Sequence, residues 1–260
     1  MITISNLSKS FFSAEGKENV ILDKLNLDIS TGEILAIVGP SGTGKSVLMK
    51  IVIGLLEADQ GDISLSDAII IKDGIRGQNF AEIISKFGIL FQNAALFDSL
   101  TLRENVSFPL RYQKRFVGKY SDKEINDLTD HFINEVSMTN WQNQLPGEVS
   151  IGMRKRIGIA RALVTNPDVI FFDEPNTGLD PVVGQEIYDL IKKTHEKLKF
   201  TGLVISHEIP EVFQICQRAI LLYKGLVQFD GNKEDFYSSQ APIIKQFRDG
   251  STEGPIKLVV

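Results

Sequence analysis

The segment Ile34-Leu-Ala-Ile-Val38 runs directly into Gly39-Pro-Ser-Gly-Thr-Gly-Lys-Ser46, joining five consecutive apolar residues to a glycine-rich loop that ends in lysine and serine. An apolar run this short suits a strand buried on both faces, as in a parallel sheet covered by helices. Beyond the loop, Lys45 to Leu56 place Val47, Leu48, Ile51 and Leu55 on one face of a helix. The loop therefore fits G-x-x-x-x-G-K-[ST] in the strand-to-helix context that gives the pattern its meaning. Successive backbone N–H groups close around a phosphate only where side chains do not block the approach, which accounts for Gly39, Gly42 and Gly44. The start of the helix adds a favourable potential for anions. Lys45 is suited to neutralise the β and γ oxygens of a nucleotide, and the Ser46 hydroxyl to ligate Mg²⁺. Gly39, Pro40, Ser41, Gly42, Thr43, Gly44, Lys45 and Ser46 are thus the predicted phosphate site.

Two further strand ends carry chemistry. Val169-Ile-Phe-Phe-Asp-Glu174 is a buried strand ending in two acids, at the carboxyl edge where α/β sheets bind ligands. Asp173 is suited to hold Mg²⁺ through its water shell, and Glu174 to orient or polarise an attacking water. His207 follows the strand Gly202 to Ser206, where an imidazole can donate to a γ-phosphate and sense its presence. His131 and His195, on helical and charged stretches, read as surface residues.

Around these segments the chain changes character. Ile2 to Ile29 alternates, most plainly at Leu25, Leu27 and Ile29, and predicts an antiparallel opening layer. Leu102 to Val164 carries helical patterns, one opening at Ser121 with Glu124 three residues on, a capping box. Lys114, Arg115 and Lys119 there read as a solvated face, with contact to acidic lipid headgroups or a partner as the alternative. After Val164 strands and helices alternate again, as in a parallel sheet with helices packed on it, before a hairpin turning at Lys224 and Gly225.

Composition limits the partners. The 260 residues include 28 basic and 33 acidic side chains, a formal charge of -5, which disfavours general nucleic-acid binding. A single cysteine, Cys216, forms no internal disulfide and reads as a small core residue in a reducing compartment. No apolar stretch approaches the roughly 20 residues a membrane span needs, and Met1 to Leu7 does not read as a secretory signal. The expectation is a cytosolic chain, free or docked on a membrane protein.

Three more stretches, in the right order between these motifs, resemble the nucleotide-binding subunit of ATP-binding-cassette (ABC) transporters. Gln92, after the strand Gly88 to Phe91, is similar to the Q-loop. Val149-Ser-Ile-Gly-Met153 is similar to the signature motif LSGGQ, and Asn176 to Asp180 to the D-loop. The resemblance implies an α/β P-loop NTPase of ABC type, with an antiparallel β subdomain, a mainly parallel core sheet and an inserted helical subdomain at about 93–165. Residues 1–249 would form the ATPase domain and 250–260 a tail making a dimer contact. The resemblance further implies ATP and Mg²⁺ as cofactors, with Ser46, Gln92 and Asp173 at the metal and Lys45, Glu174 and His207 in catalysis. Ser150 and Gly152, on a helix opening at Met153, would touch the nucleotide of a second copy, and Asp180 would join that site. An aromatic near the N-terminus stacks on adenine in this family; Phe11 fits best, Phe12 is next, and core packing is the alternative for both.

The sequence departs from the family pattern at Val149, Ile151 and Met153. Because a β-branched residue is an outlier at positive φ, Ile151 is expected to keep a negative one. Within the family, Leu90 to Phe97 with Asn105 to Pro109, the signature Met153, and the tail Gln246 to Gly250 with Gly254-Pro255 resemble phospholipid-trafficking ATPases of the lipid-asymmetry (Mla) type. That branch implies a homodimer on an integral permease, peripheral at the cytoplasmic face of the inner membrane. It also implies an MCE-domain protein and a small accessory subunit as partners. An ATPase for another solute, or a soluble relative such as an iron–sulfur assembly scaffold, would keep the same catalytic motifs.

Overall fold

The computed structural model describes residues 1–257. Its chain forms two compact units, one comprising Met1–Phe80 with the chain from Val204 onward, the other Ala81–Leu203.

In the first unit β1 (Ile2–Phe12) and β2 (Glu18–Ile29) form the expected hairpin, antiparallel from Ile2 opposite Ile29 to Phe12 opposite Glu18. Alternation buries Ile2, Ile4, Leu25, Leu27 and Ile29 on one face. β3 (Ile34–Val38) is buried at all five positions. The helix α1 (Lys45–Val52) ends short of the predicted Leu56, because Gly54 takes a left-handed φ of 77° and donates to Ile51 at 3.0 Å. Three strands not foreseen from the sequence follow: β4 (Gln60–Leu65), β5 (Ala68–Lys72) and β6 (Ile75–Arg76). They complete an antiparallel sheet of order β2-β1-β4-β5-β6.

After α2 (Phe80–Ile84), the second unit holds β7 (Phe87–Leu90), α3 (Leu102–Tyr112), α4 (Asp122–Glu135), α5 (Ile151–Leu163), β8 (Val169–Asp173) and α6 (Pro181–Leu198). Capping boxes start α3 at Thr101 and Glu104 and α4 at Ser121 and Glu124. β7 and β8 are parallel, with Phe87 opposite Val169 and Leu90 opposite Phe172. The strand β9 (Thr201–Ser206) carries the chain back into the first unit. There follow α7 (Ile209–Val212), β10 (Arg218–Tyr223), β11 (Leu226–Gly231), α8 (Lys233–Ser238) and α9 (Pro242–Asp249). The order in the first unit is β11-β10-β3-β9, and in the second β9-β8-β7. β10 runs parallel to β3, Arg218 opposite Leu35 and Leu221 opposite Val38.

Two surface readings are corrected. His195 is buried, its ring edge-on to Phe200 with centroids 5.0 Å apart, because α6 turns this position inward with Ile191 and Thr194. Arg115 is not wholly solvated: its guanidinium donates to the Ser85 and Thr165 carbonyls at 3.0 and 3.1 Å. Cys216 is a core residue as expected, and burial pushes its thiol up to about 12.

Candidate active site

The predicted phosphate loop leaves β3 with Gly39 and Gly44 sterically required, while Gly42 has open space and a φ of 78°. A Cβ on Gly39, whose φ is 149°, would lie 2.3 Å from the Leu222 carbonyl oxygen. One on Gly44, the left-handed residue before α1, would lie 2.9 Å from the Ile21 side chain. Lys45 is 5% exposed and folds back along the loop, donating to the Gly39 and Pro40 carbonyls at 2.7 and 2.8 Å. The Thr43 hydroxyl donates to the same Pro40 oxygen at 2.9 Å, so the loop is braced from both ends. Pro40 to Thr43 open onto a cleft of about 600 Å³ whose other walls are Asn19 to Ile21, Tyr223 to Gly225, and Ile256 with Lys257. Phe11 does not line that cleft; it is 41% exposed and faces Asn19 across the β1–β2 ladder, with the Lys9 ammonium 5.4 Å from its ring centre. Phe12 is more exposed still. His207 is exposed at the end of β9, where the Ser206 hydroxyl accepts from the Glu208 N–H at 3.0 Å.

In the second unit β8 ends at Asp173, and Glu174 turns into the left-handed region at φ 47°. A non-glycine residue there costs on the order of 1–3 kcal/mol unless its surroundings hold it. They do so twice. The carboxylate oxygen Oε2 of Glu174 accepts from the Gln92 amide at 3.1 Å and the Thr177 hydroxyl at 3.0 Å. Beneath the turn, the Lys155 ammonium donates to the Glu174 carbonyl at 3.2 Å and the Thr177 carbonyl at 2.7 Å. Lys155 is 1% exposed and was not singled out from the sequence. The available signal was its place on the apolar stripe of α5, with Gly152 and Ile159.

The signature segment is a helix N-terminus. Helix α5 opens at Ile151, two residues before the expected Met153, and the Ser150 hydroxyl accepts from the Met153 N–H at 3.2 Å. Ile151 is helical, so no positive φ is forced on it, and its side chain is 45% exposed. Gly152 faces inward, where a Cβ would stand 2.6 Å from Val183 on α6. Asp180 caps α6, accepting from the Val182 and Val183 N–H groups at 3.1 Å each.

The loop after Gln92 is held by half-buried Arg161 and buried Asn105. Arg161, whose pKa burial pushes down, donates to the Ala94 and Ala95 carbonyls at 2.5 and 2.7 Å, fixing both alanines in the left-handed region. Asn105 accepts from the Phe97 N–H at 2.8 Å and donates to the Phe97 and Leu100 carbonyls at 3.1 Å each. An apolar groove beside it is lined by Phe87, Ile89, Phe91, Phe97 and Phe108.

The family model described as ABC transporter matches residues 22–177. The chain belongs to the ABC transporter family, as an ATP-binding, ATP-hydrolysing cassette. It is 38% identical over 98% of its length to a protein of Mycobacterium leprae named probable ribonucleotide transport ATP-binding protein mkl, covering 70% of that protein. It is 35% identical over 92% of its length to the intermembrane phospholipid transport system ATP-binding protein MlaF of Haemophilus influenzae, covering 89% of it. Among solved structures, the dimeric ATP-binding cassette MJ0796 in a post-hydrolysis state with ADP and Pi aligns at TM-score 0.79 and 30% identity, over 89% of this chain and 98% of that one. No helix among the described residues is long and apolar enough to cross a membrane.

Proposed function

We propose that this chain is the ATPase of a phospholipid transporter, acting through a separate membrane permease from the cytoplasmic face of the membrane. The observation that carries the reading is the similarity to the phospholipid transport protein MlaF over nearly its whole length. ATP phosphates are taken by the loop Gly39 to Ser46, with Lys45 on the β and γ oxygens. Ser46, Gln92 and Asp173 offer hydroxyl, amide and carboxylate oxygens, the hard donors Mg²⁺ takes. Gln92 fits that role because its amide nitrogen is used on Glu174, leaving the amide oxygen as the ligating atom. Bound there, the ion would neutralise charge on the phosphates. Glu174 orients the attacking water, and His207 donates to the γ-phosphate. Two copies dimerise around two nucleotides, with Ser150, Gly152 and the Asp180 turn of one copy facing the nucleotide of the other.

The apolar groove beside the Gln92 loop supports a permease contact, since a partner segment seated on Phe91 and Phe97 would bear directly on Gln92. An MCE-domain protein and a small accessory subunit complete the proposed assembly. A ribonucleotide transporter is the second reading, favoured by the similarity to mkl. Purifying the native complex through a tag on this chain separates the two. We expect a co-purifying permease with phospholipid bound to the complex. A complex free of phospholipid, binding ribonucleotides on its permease instead, would contradict the assignment.

A further inference from the structure

The tail has a built seat on its own chain. Gly250, left-handed at φ 64°, ends α9 and turns the chain back along it. The Gln246 side chain then reads both backbone groups of one tail residue: its amide nitrogen donates to the Ile256 carbonyl at 2.9 Å, and its amide oxygen accepts from the Ile256 N–H at 2.6 Å. On the other side the Tyr223 hydroxyl donates to the Pro255 carbonyl and accepts from the Lys257 N–H, both at 3.1 Å. Gly254 makes this approach feasible, since a Cβ there would fall 2.3 Å from the Gln246 oxygen. Both Gln246 and Ile256 are buried. Four hydrogen bonds thus fix three consecutive residues, which a frayed end would not show. The tail expected to make a dimer contact is held by its own chain as far as Lys257; residues 258–260 of that tail lie outside the described residues.

The strap lies beside the phosphate loop. Ile256 and Lys257 line the same cleft as Pro40 to Thr43, together with Val20 and Tyr223. We propose that Pro255 to Lys257 form a wall of the nucleotide cleft in their own subunit. On this proposal Ile256 and the Lys257 stem cover the sugar and base, while the Lys257 ammonium attracts the anionic part of the nucleotide. The proposal rests on reading Gly39 to Ser46 as the nucleotide site. Affinity for a nucleoside di- or triphosphate then depends on a segment far from the loop in sequence, clamped by Gln246 and Tyr223.

The test is binding of fluorescent ATP and ADP analogues to the full chain, kept at concentrations where light scattering shows monomer. Lys257→Ala, a chain ending at Gly254, and the clamp variant Tyr223→Phe/Gln246→Ala are compared with wild type, each first checked for native circular dichroism. All three are expected to raise Kd by about three- to tenfold for both nucleotides, the loss of one charge-assisted contact. Lys257→Ala keeps the test open if the clamp variant misfolds. Affinity unchanged within twofold, or tightened, in folded Lys257→Ala or in the shortened chain would overturn the proposal. A shortened chain that dimerises less but binds nucleotide as wild type would overturn it too. Lys45→Ala is the separate control: if wild type binds nucleotide no better than Lys45→Ala, the phosphate-loop reading itself fails, whatever the strap does.

Discussion

Replacing Glu174 by glutamine is expected to lower steady-state ATP hydrolysis by about 10²–10⁴-fold, the range for losing a positioned general base, while nucleotide binding stays within about threefold of wild type. The structure makes this substitution unusually clean. Oε2 of Glu174 only accepts, from Gln92 and Thr177, and a glutamine amide oxygen can accept the same two bonds. The backbone turn is held independently by Lys155 through main-chain carbonyls. What the substitution removes is therefore the negative charge and its affinity for a water proton. Phosphate release and nucleotide binding, measured side by side, separate the two effects. Turnover near the wild-type rate would remove Glu174 from the role assigned to it.

Lys155→Met should have the next largest effect, and through a different route. A methionine of similar length fills the space but offers no donor, leaving the Glu174 and Thr177 carbonyls short of a partner they now share at 3.2 and 2.7 Å. The Glu174 carbonyl keeps the Thr177 N–H at 3.2 Å, but both carbonyls lose a hydrogen bond to a charged donor, worth about 1.5–3 kcal/mol, so a fall in thermal stability is expected. Lys155 touches no substrate in this account and acts by positioning Glu174. The distinguishing readout is therefore the split between kinetic constants: kcat should fall by about ten- to a hundredfold, as misplaced catalytic groups produce, with KM for ATP little changed. A variant that loses stability yet keeps its kcat in the folded fraction would reduce Lys155 to a purely structural residue.

Those two residues also mark how far the sequence could be read. The strand ending at the acids was legible as an apolar run, seen as Val169–Asp173, and the tight loop after β3 because only glycine fits at Gly39 and Gly44. The capping box at Ser121 was legible for the same local reason, its partner being three residues away. Lys155 was not, because its partners are carbonyls 19 and 22 residues distant, and backbone acceptors leave no mark in a side-chain pattern. The tail clamp shares that difficulty, with Tyr223 more than thirty residues from the groups it holds. β4 to β6 were missed although the β5–β6 turn carries Asp73-Gly74, both left-handed, which is a hairpin signal; the β4–β5 turn at left-handed Ser66 gives no such mark. His195 was misjudged because charged neighbours on α6 masked a position that faces inward against Phe200.

The measurement that bears most directly on the account is a calorimetric titration of Mg-ATP into the full chain and its Lys45→Ala variant. Wild type is expected to bind one nucleotide per chain, and the variant to give no resolvable heat over the same range. Equal binding by the two proteins, or none by wild type, would contradict the assignment of Gly39 to Ser46 as the phosphate site.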